Sequence, residues 1–228
     1  MTDNKLIKEA LEIINIIEDS GYEAYIVGGS LRDSLLGMQP KDIDIASSAS
    51  PTEIKLIFNS YKTIDTGIDF GTVTLIYNDK SVEITTFRSE SVYLDSRRPD
   101  SVSFEKNIDE DLKRRDFTIN AMAYNQSKKL VDLFSGEEDL NNKLIRCVGS
   151  PDERFSEDAL RMLRAVRFAC VLNFDIEKNT FEAIQHNASR IEHISKERIQ
   201  AELNKILMSS KPSRGIRLLL DSKLLDYV

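Results

Sequence analysis

Apolar and polar residues follow two different periods along this 228-residue chain, and the dominant period changes near residue 150. Between Asn4 and Ser20, apolar side chains recur every three or four residues, which predicts an amphipathic helix that ends at Gly21. Strand-like alternation or short apolar runs occupy six further stretches, at residues 22–27, 41–46, 72–77, 82–87, 130–133 and 144–148. The first 149 residues are therefore expected to mix strands with helices.

Helical patterns separate these strands and then dominate the chain. Residues 31–36 predict a short helix, and Ser50 and Pro51, an N-cap and a first-turn proline, predict another that runs to about residue 60. A third pattern spans residues 108–125, after a polar segment at 88–103 that has no clear periodicity. Beyond residue 150 four helices are expected, at about 152–170, 178–190, 195–209 and 212–221.

The fold class that follows is α+β, with two domains. Gly149, Ser150 and Pro151 mark the boundary, because a glycine and a proline interrupt both patterns there. Residues 1–149 are expected to form a domain around a mixed β-sheet, and residues 150–228 an all-helical region.

Composition narrows the class of protein. With 41% hydrophobic and 30% charged residues, and no apolar run near the ~20 residues of a membrane helix, a soluble cytoplasmic protein without a membrane partner is expected. The N-terminal segment carries acids and lacks the apolar core of a signal peptide. The two cysteines, Cys147 and Cys170, lie in no zinc-binding pattern, which suits a reducing compartment.

The charged residues give evidence both against and for binding to nucleic acid. A formal net charge of −7 counts against a nucleic-acid partner. Phosphate binding, however, depends on where the arginines lie, and here they cluster. The clusters are Arg97 with Arg98, Arg114 with Arg115, and Arg161 with Arg164 and Arg167. Acids concentrate nearby, which suits a divalent metal beside phosphate.

Gly28 and Gly29 lie between the first predicted strand and a helix, and Arg32 follows closely. Glycines at such a junction let the backbone approach a phosphate, while the helix N–H groups point at the anion. Arg32 would add a charge-assisted contact. An ordinary strand–turn–helix junction has the same residues, so the glycine pair alone does not decide between the two interpretations.

Asp42 and Asp44 are two residues apart in a predicted strand, so both side chains are expected on one face. Neighbouring carboxylates repel each other unless a cation lies between them, and Mg²⁺ prefers carboxylate and phosphate oxygens. Glu83, on another predicted strand, is a candidate third catalytic acid for two-metal phosphoryl transfer. A solvated strand face and an exposed structural glutamate are the alternatives.

Five motifs, in order within residues 22–170, resemble those of one protein family. GGSLRD at 28–33 and KDIDIA at 41–46 resemble the head domain of the nucleotidyltransferase superfamily that includes DNA polymerase beta. RRDFTINA at 114–121, DLFSGEEDL at 132–140 and EDALRMLRAVRFA at 157–169 resemble motifs of class II CCA-adding enzymes and bacterial poly(A) polymerases. The resemblance implies a catalytic head, a helical neck, and a Mg²⁺-dependent transferase that adds C, C and A from CTP and ATP to the tRNA 3′ end.

Residue roles follow from the resemblance position by position. It makes Asp42 and Asp44 the metal ligands. It assigns nucleotide contacts to Gly28, Gly29, Arg32, Arg115, Asp158, Arg161, Arg164 and Arg167. Arg114 is expected to pair with Asp111 or with RNA phosphate, and Asp116 to be an N-cap or a structural partner.

The segment 157–169 also has a charge pattern of its own. On a continuous helix Arg161, Arg164 and Arg167 fall within an arc of about 120°. The two acids Glu157 and Asp158 do not balance three arginines, which favours an anionic ligand over an exposed helix with internal ion pairs.

The resemblance assigns base selection to Asp158 and Arg161. Cytosine and adenine both present an exocyclic amine beside a ring-nitrogen acceptor, which an aspartate and an arginine match. Uracil and guanine place a carbonyl and an N–H there, so both contacts would be mismatched. One Asp–Arg pair would thus select C and A without a nucleic-acid template.

Residues 87–102 resemble the flexible loop of complete CCA-adding enzymes, and relatives that add only CC are shorter there. Family members carry body and tail domains after the neck, and by the resemblance this sequence is expected to lack them. Their loss would weaken tRNA binding, and an exposed neck would favour self-association. No other protein partner is implied.

Two alternatives stay open. A poly(A) polymerase or an A-adding tRNA nucleotidyltransferase shares all of these motifs. A nucleotide- or RNA-binding module without catalysis is the other alternative, although a pure binder has no use for a repulsive pair of acids at 42 and 44.

Overall fold

The computed structural model describes residues 5–90 and 102–228. These residues form two compact units. The first comprises residues 5–90, 102–115 and 119–136, and the second comprises residues 116–118 and 137–228. The predicted domain boundary at residue 149 stays a prediction.

A mixed β-sheet is the framework of the first unit, as the sequence predicted. Strands of this unit are β1 (Ala24–Val27), β2 (Asp44–Ser47), β3 (Thr63–Gly67), β4 (Thr72–Tyr77), β5 (Lys80–Thr86), β6 (Arg88–Glu90), β7 (Val102–Phe104), β8 (Met122–Asn125) and β9 (Lys129–Asp132). Seven of them form one sheet in the order β3-β4-β5-β2-β1-β8-β9, and β6 pairs with β7 separately. Within the large sheet β2 and β5 are parallel and the other neighbours are antiparallel.

Helices of the first unit lie between these strands. They are α1 (Lys5–Asp19), α2 (Gly28–Leu35), α3 (Pro51–Ile57) and α4 (Ile108–Lys113), with a 3-10 turn at Ile68–Phe70. The predicted amphipathic first helix is confirmed, since Ile7, Ile13 and Ile17 on α1 are fully buried. The predicted start of α3 is confirmed as well, because Ser50 Oγ accepts from Glu53 N–H and Ser50 N–H donates to the Glu53 carboxylate.

A compact apolar cluster packs in the first unit. Its buried members are Tyr25, Val27, Ala46, Phe87, Ile108, Leu112 and Ala123. Strands β1, β2 and β8 and helix α4 all contribute to it. This packing fixes the sheet and the helix that carry the candidate site.

The strand that carries the acids begins later than predicted. Instead of starting at residue 41, β2 starts at Asp44, and Asp42 lies in a bend before it. One hydrogen bond, from Glu83 N–H to Ile43 O at 3.2 Å, continues the contact with β5. On the other side β1 ends at Val27, where α2 begins, so residues 41–43 have no strand to pair with there. Strand geometry therefore positions Asp44 but not Asp42.

The predicted helix at 108–125 is wrong beyond residue 113. The chain leaves α4, makes a 3-10 turn at Thr118–Asn120 and enters β8, which pairs with β1 and β9. Ile119, Ala121 and Ala123 are fully buried. Their apolar spacing reflects burial in the core and not a helical face, and sheet pairing outweighs the local pattern.

Two further elements differ from the sequence expectations. The edge strand β3 was missed, and its ladder has an irregularity between Ile64 and Gly67 that disturbs the alternation. The segment at 88–103 was expected to be entirely loop, yet its two ends pair as β6 and β7. Most of the predicted flexible loop at 87–102 lies outside the described residues. Arg97 and Arg98 lie wholly outside them.

The second unit is mainly helical, as predicted for the neck. Its elements are α5 (Gly136–Asn141, which begins on the last residue of the first unit), β10 (Leu144–Ile145), α6 (Pro151–Glu157), α7 (Leu160–Leu172), β11 (Asp175–Ile176), α8 (Lys178–Asn187), α9 (Lys196–Leu207) and α10 (Pro212–Asp221). Two 3-10 segments, Ala188–His193 and Leu224–Asp226, complete it. The rings of Phe117 and Phe168 meet edge to face at 5.8 Å in its core.

The helix predicted at 152–170 is two helices. Asp158 has extended backbone angles, φ −144° and ψ 103°, and separates α6 from α7. Asp158 is therefore not on the same helix as Arg161, contrary to the continuous helix expected from the sequence. No helix in the described part of the chain has the length and apolar character needed to cross a membrane.

Candidate active site

Three carboxylates come together at the start of β2 in the first unit, and these residues are the acid cluster: Asp42, Asp44 and Glu83. Asp44 and Glu83 are register partners in the parallel β2–β5 pair. The pKa of Asp44 is raised to about 6, first by burial and then by the negative charges of Asp42 and Glu83, while Arg115 acts to lower it. Asp44 thus lies close enough to the other two acids to be repelled by both.

The acid cluster fits a divalent metal that a substrate helps to bind. Its donors are hard carboxylate oxygens, and a cation would oppose the burial and repulsion that raise the pKa of Asp44. Within residues 5–90 and 102–228, no three His, Cys, Asp or Glu side chains are arranged as a complete metal site. Mg²⁺ is commonly held by one or two carboxylates together with substrate phosphates, so a pair of aspartates suffices.

Gly28 lies directly against the acid cluster. A Cβ atom at this position would lie 3.4 Å from Asp44 Oδ2 and 3.3 Å from Arg115 Nη1. Its φ of +66° is also in the left-handed region that favours glycine. The absence of a side chain at Gly28 therefore lets the side chains of Asp44 and Arg115 both approach its Cα atom.

Arg32 lies beside Gly29 on α2 and is nearly buried. Its Nη2 lies 3.4 Å from the position that a Cβ of Gly29 would occupy. The guanidinium donates to Asp33 Oδ1 at 2.6 Å and to Asn120 Oδ1 at 2.7 Å. The structure thus brings a fixed positive charge to Gly28 and Gly29, the glycine junction between β1 and α2.

Arg115 and Arg114 share one buried acid, Asp111 on α4. Asp111 Oδ2 accepts from Arg115 Nη2 at 2.9 Å, and Oδ1 accepts from Arg114 Nη2 at 2.6 Å. Burial acts to raise the pKa of Asp111, but the charges of Arg115 and Arg114 outweigh it, so the pKa lies below its usual range. The predicted pairing of Arg114 with Asp111 is confirmed.

Asn120 connects Arg32 and Arg115, and sequence reasoning did not identify it. Its side-chain oxygen accepts from Arg32 Nη1 at 2.7 Å, and its backbone carbonyl accepts from Arg115 Nη1 at 3.3 Å. It belongs to the RRDFTINA motif, where a polar residue among buried apolar neighbours was the available indication.

In the second unit, Asp158 and Arg161 each have a separate charged partner. Asp158 Oδ2 accepts from Arg198 Nη2 at 2.8 Å, and Oδ1 accepts from the Leu160 N–H at 3.0 Å. Arg161, which is 8% exposed, donates through Nη1 to Glu157 Oε2 at 2.5 Å. Arg198 is a second residue that sequence reasoning missed, because it lies 40 residues from its partner.

The other two arginines of α7 are neutralised by acids from distant segments. Arg164 donates to Asp116 Oδ2 at 2.5 and 2.8 Å, and Arg167 lies 2.9 Å from Glu202 Oε2. The role of Asp116 as a structural partner is confirmed. The excess of arginine inferred from segment 157–169 alone is therefore compensated by acids that lie elsewhere in the sequence.

The fold and the acid cluster of the first unit define a nucleotidyltransferase head domain. Residues 24–146 match the family model described as the poly(A) polymerase head domain, and the chain belongs to this family. Residues 173–228 match a second model, described as a probable RNA- and SrmB-binding site of polymerase A. Enzymes of this class generally need a divalent metal.

Relatives of this chain carry a more specific name. The CCA-adding enzyme of Ligilactobacillus salivarius (strain UCC118) is 53% identical over 220 residues, which are 96% of this chain and 54% of that protein. The Bacillus stearothermophilus CCA-adding enzyme in complex with CTP has a TM-score of 0.90 and 42% identity, over 97% of this chain and 53% of that one. The Thermotoga maritima CCA-adding enzyme complexed with tRNA-CCA has a TM-score of 0.81 and 28% identity, over 98% and 52%. This chain spans about half the length of each.

Proposed function

We propose that this chain carries the catalytic site of a CCA-adding tRNA nucleotidyltransferase. Such an enzyme adds C, C and A to the tRNA 3′ end from CTP and ATP and releases pyrophosphate. The observation that carries the proposal is the acid cluster, in which Asp44 lies beside Glu83, Asp42 and the glycine junction. Relatives with this name at 53% and 42% identity support the choice among members of the family.

Phosphate chemistry is assigned to the first unit. Asp42 and Asp44 would hold Mg²⁺, and Glu83 adds negative charge beside them. When bound, the metal lowers the pKa of the attacking 3′-hydroxyl and offsets the charge of the triphosphate. Arg32 and Arg115, held in place by Asp33, Asp111 and Asn120, would bind phosphate oxygens, and Gly28 and Gly29 leave the room for these oxygens to approach.

Base selection is assigned to the second unit. Asp158 would accept a hydrogen bond from the exocyclic amine of cytosine or adenine, since each carboxylate oxygen keeps a free lone pair beside its present bond. Arg161 would donate to the neighbouring ring nitrogen, and Arg164 and Arg167 would make further nucleotide contacts. Uracil and guanine would leave these groups mismatched.

RNA is the proposed second substrate. The family model matched by residues 173–228 is described as RNA-binding, and a solved relative is complexed with tRNA-CCA. These two findings support the tRNA 3′ end as the acceptor. An activity on tRNA is consistent with the cytoplasmic location expected from the sequence.

The proposal is tested by primer extension on three tRNAs, which end before the CCA, after the first C and after both Cs. Each is incubated with the chain, Mg²⁺ and one nucleoside triphosphate at a time. We expect CTP to extend the first two substrates and ATP to extend only the third by one residue. Addition of A without any addition of C would identify the alternative, which is a poly(A) polymerase if every substrate is extended and an A-adding enzyme if only the third is. Nucleotide binding without any extension would identify a non-catalytic module.

A further inference from the structure

Arg198 on α9 holds the carboxylate to which base selection is assigned. Its Nη2 donates to Asp158 Oδ2 at 2.8 Å, while Asp158 Oδ1 accepts from the Leu160 N–H at 3.0 Å. Asp158 lies in extended backbone between α6 and α7, so neither helix orients its side chain by periodic packing. These two hydrogen bonds therefore hold both oxygens of the carboxylate in one orientation.

The other residue of the assigned pair is held independently. Arg161 donates through Nη1 to Glu157 Oε2 at 2.5 Å and to the Arg154 carbonyl at 3.3 Å. Glu157 thus orients the donor, and Arg198 orients the acceptor. Each of the two groups proposed to contact the base has its own positioning partner.

Arg198 is not fully satisfied by this contact. Its Nη1 is buried and has no hydrogen-bond partner among the described residues. A buried donor without a partner lowers stability, and such groups in native structures call for an explanation. The burial of this donor therefore costs stability, while the other terminal nitrogen of the same guanidinium holds Asp158.

We propose that Arg198 is a specificity-determining positioning residue, which presents the Asp158 carboxylate as a correctly oriented acceptor for the amine of cytosine or adenine. The inference rests on the proposed function. Without the arginine the carboxylate would keep the Leu160 N–H bond alone and would rotate about it. Affinity for CTP and ATP should then fall, and the repulsion between the carboxylate and the carbonyl of UTP should weaken.

The test is equilibrium binding of CTP, ATP, UTP and GTP to the full chain. We expect Arg198→Gln to lower the ratio of the UTP Kd to the CTP Kd by about tenfold, the size associated with one hydrogen bond to a charged group. Arg198→Lys keeps the charge and should restore part of the ratio. Arg214→Gln is the matched control. Arg214 lies on α10 of the same unit and pairs with Asp175 at 2.6 Å, so its substitution should leave the ratio of the two Kd values unchanged.

A double substitution separates positioning from a general structural effect. In an Asp158→Ala background, Arg198→Gln should cause no further loss of discrimination, because the residue through which it acts is gone. Equal losses in both backgrounds, or an unchanged ratio in Arg198→Gln, would overturn the inference. If Arg198→Gln does not fold, Arg198→Met replaces it, since it also removes the guanidinium, and a ratio equal to that of the original chain would likewise overturn the inference.

The same measurements distinguish failure of this inference from failure of the proposed function. An original chain that binds all four triphosphates equally would remove base selection itself, and the inference with it. Discrimination by the original chain that survives in Arg198→Gln would remove the inference alone.

Discussion

Asp111 illustrates how single residues keep the positive charges of the first unit in place. It is fully buried, and its two oxygens accept from Arg114 and Arg115. Removal of one partner from a buried ion pair leaves the other charge uncompensated, which is strongly destabilising. The order of the region proposed to bind phosphate therefore depends on a residue that has no assigned contact with substrate.

Substitution of Asp111 by Asn should lower stability in a pH-dependent way. The pKa of Asp111 in the folded chain lies below the ordinary 3.8, because Arg115 and Arg114 favour its ionised form. Its stabilising effect is therefore fully present above pH 3.8 and is lost as the pH falls through the lower folded value. We expect Asp111→Asn to cost about 3–5 kcal/mol at pH 7 and progressively less below about pH 4.

Thermal melts between pH 3 and pH 8 measure this dependence. Asp65→Asn is the control, since Asp65 forms an exposed pair with Lys55, and such a pair contributes about 0–1 kcal/mol. A loss of stability in Asp111→Asn that is the same at every pH would contradict the assignment.

Candidate site residues were predictable where several of them occur together in one short sequence motif. The distant residues that hydrogen-bond to them were not predictable. The acid cluster, the glycine junction and the arginines of α7 follow from local patterns and from the family motifs. Asn120 and Arg198 act through contacts 88 and 40 residues away in sequence. Only the fold brings such residues together, so a single sequence gives no indication of the pairing.

At the scale of helices and strands, close packing in the second unit depends on Gly215 in α10. A Cβ at this position would lie 2.3 Å from Ile206 Cγ2 on α9 and 3.1 Å from Cys170 Sγ on α7. Ile206 is fully buried and β-branched, so it has little freedom to move away. The contact between these three helices thus requires a residue without a side chain.

Gly215→Ala should destabilise the chain although alanine is the better helix former. Helix propensity would gain about 1 kcal/mol, whereas overpacking of this kind costs about 1–3 kcal/mol, and a separation of 2.3 Å places it at the upper end. Urea unfolding should therefore show a net loss. The double variant Gly215→Ala, Ile206→Ala should lose less than the sum of the single variants, and a stabilised Gly215→Ala would contradict the packing.

Elements were predictable where local rules and tertiary packing agree. The capped helix α3 and the hairpin of β4 and β5, with left-handed Asn78 and Asp79 in its turn, have clear local features. β8 does not, because its apolar residues also fit a helix and pairing with β1 decides the outcome. The break at Asp158 was hidden for a similar reason, since residues on both sides of it form helices.

At the scale of the whole molecule, the proposed chemistry is divided between the two compact units. Phosphate and metal binding are assigned to the first and base selection to the second. The α+β class and the helical neck were predictable because the period of the apolar pattern changes along the chain. The passage of residues 116–118 into the second unit was not, because the RRDFTINA motif is continuous in sequence and is divided only by the fold.

The central claim is that the acid cluster performs transfer and is not merely a binding surface. Its most direct test compares CTP binding with single-turnover addition of C to tRNA that lacks CCA, in Asp42→Ala and in the exposed control Asp65→Ala. We predict that Asp42→Ala loses about a thousandfold or more in the rate of addition, since metal assistance contributes several kcal/mol, while its Kd for CTP changes by less than about tenfold. Asp65→Ala should match the original chain in both measurements. Turnover by Asp42→Ala at the original rate would contradict the account.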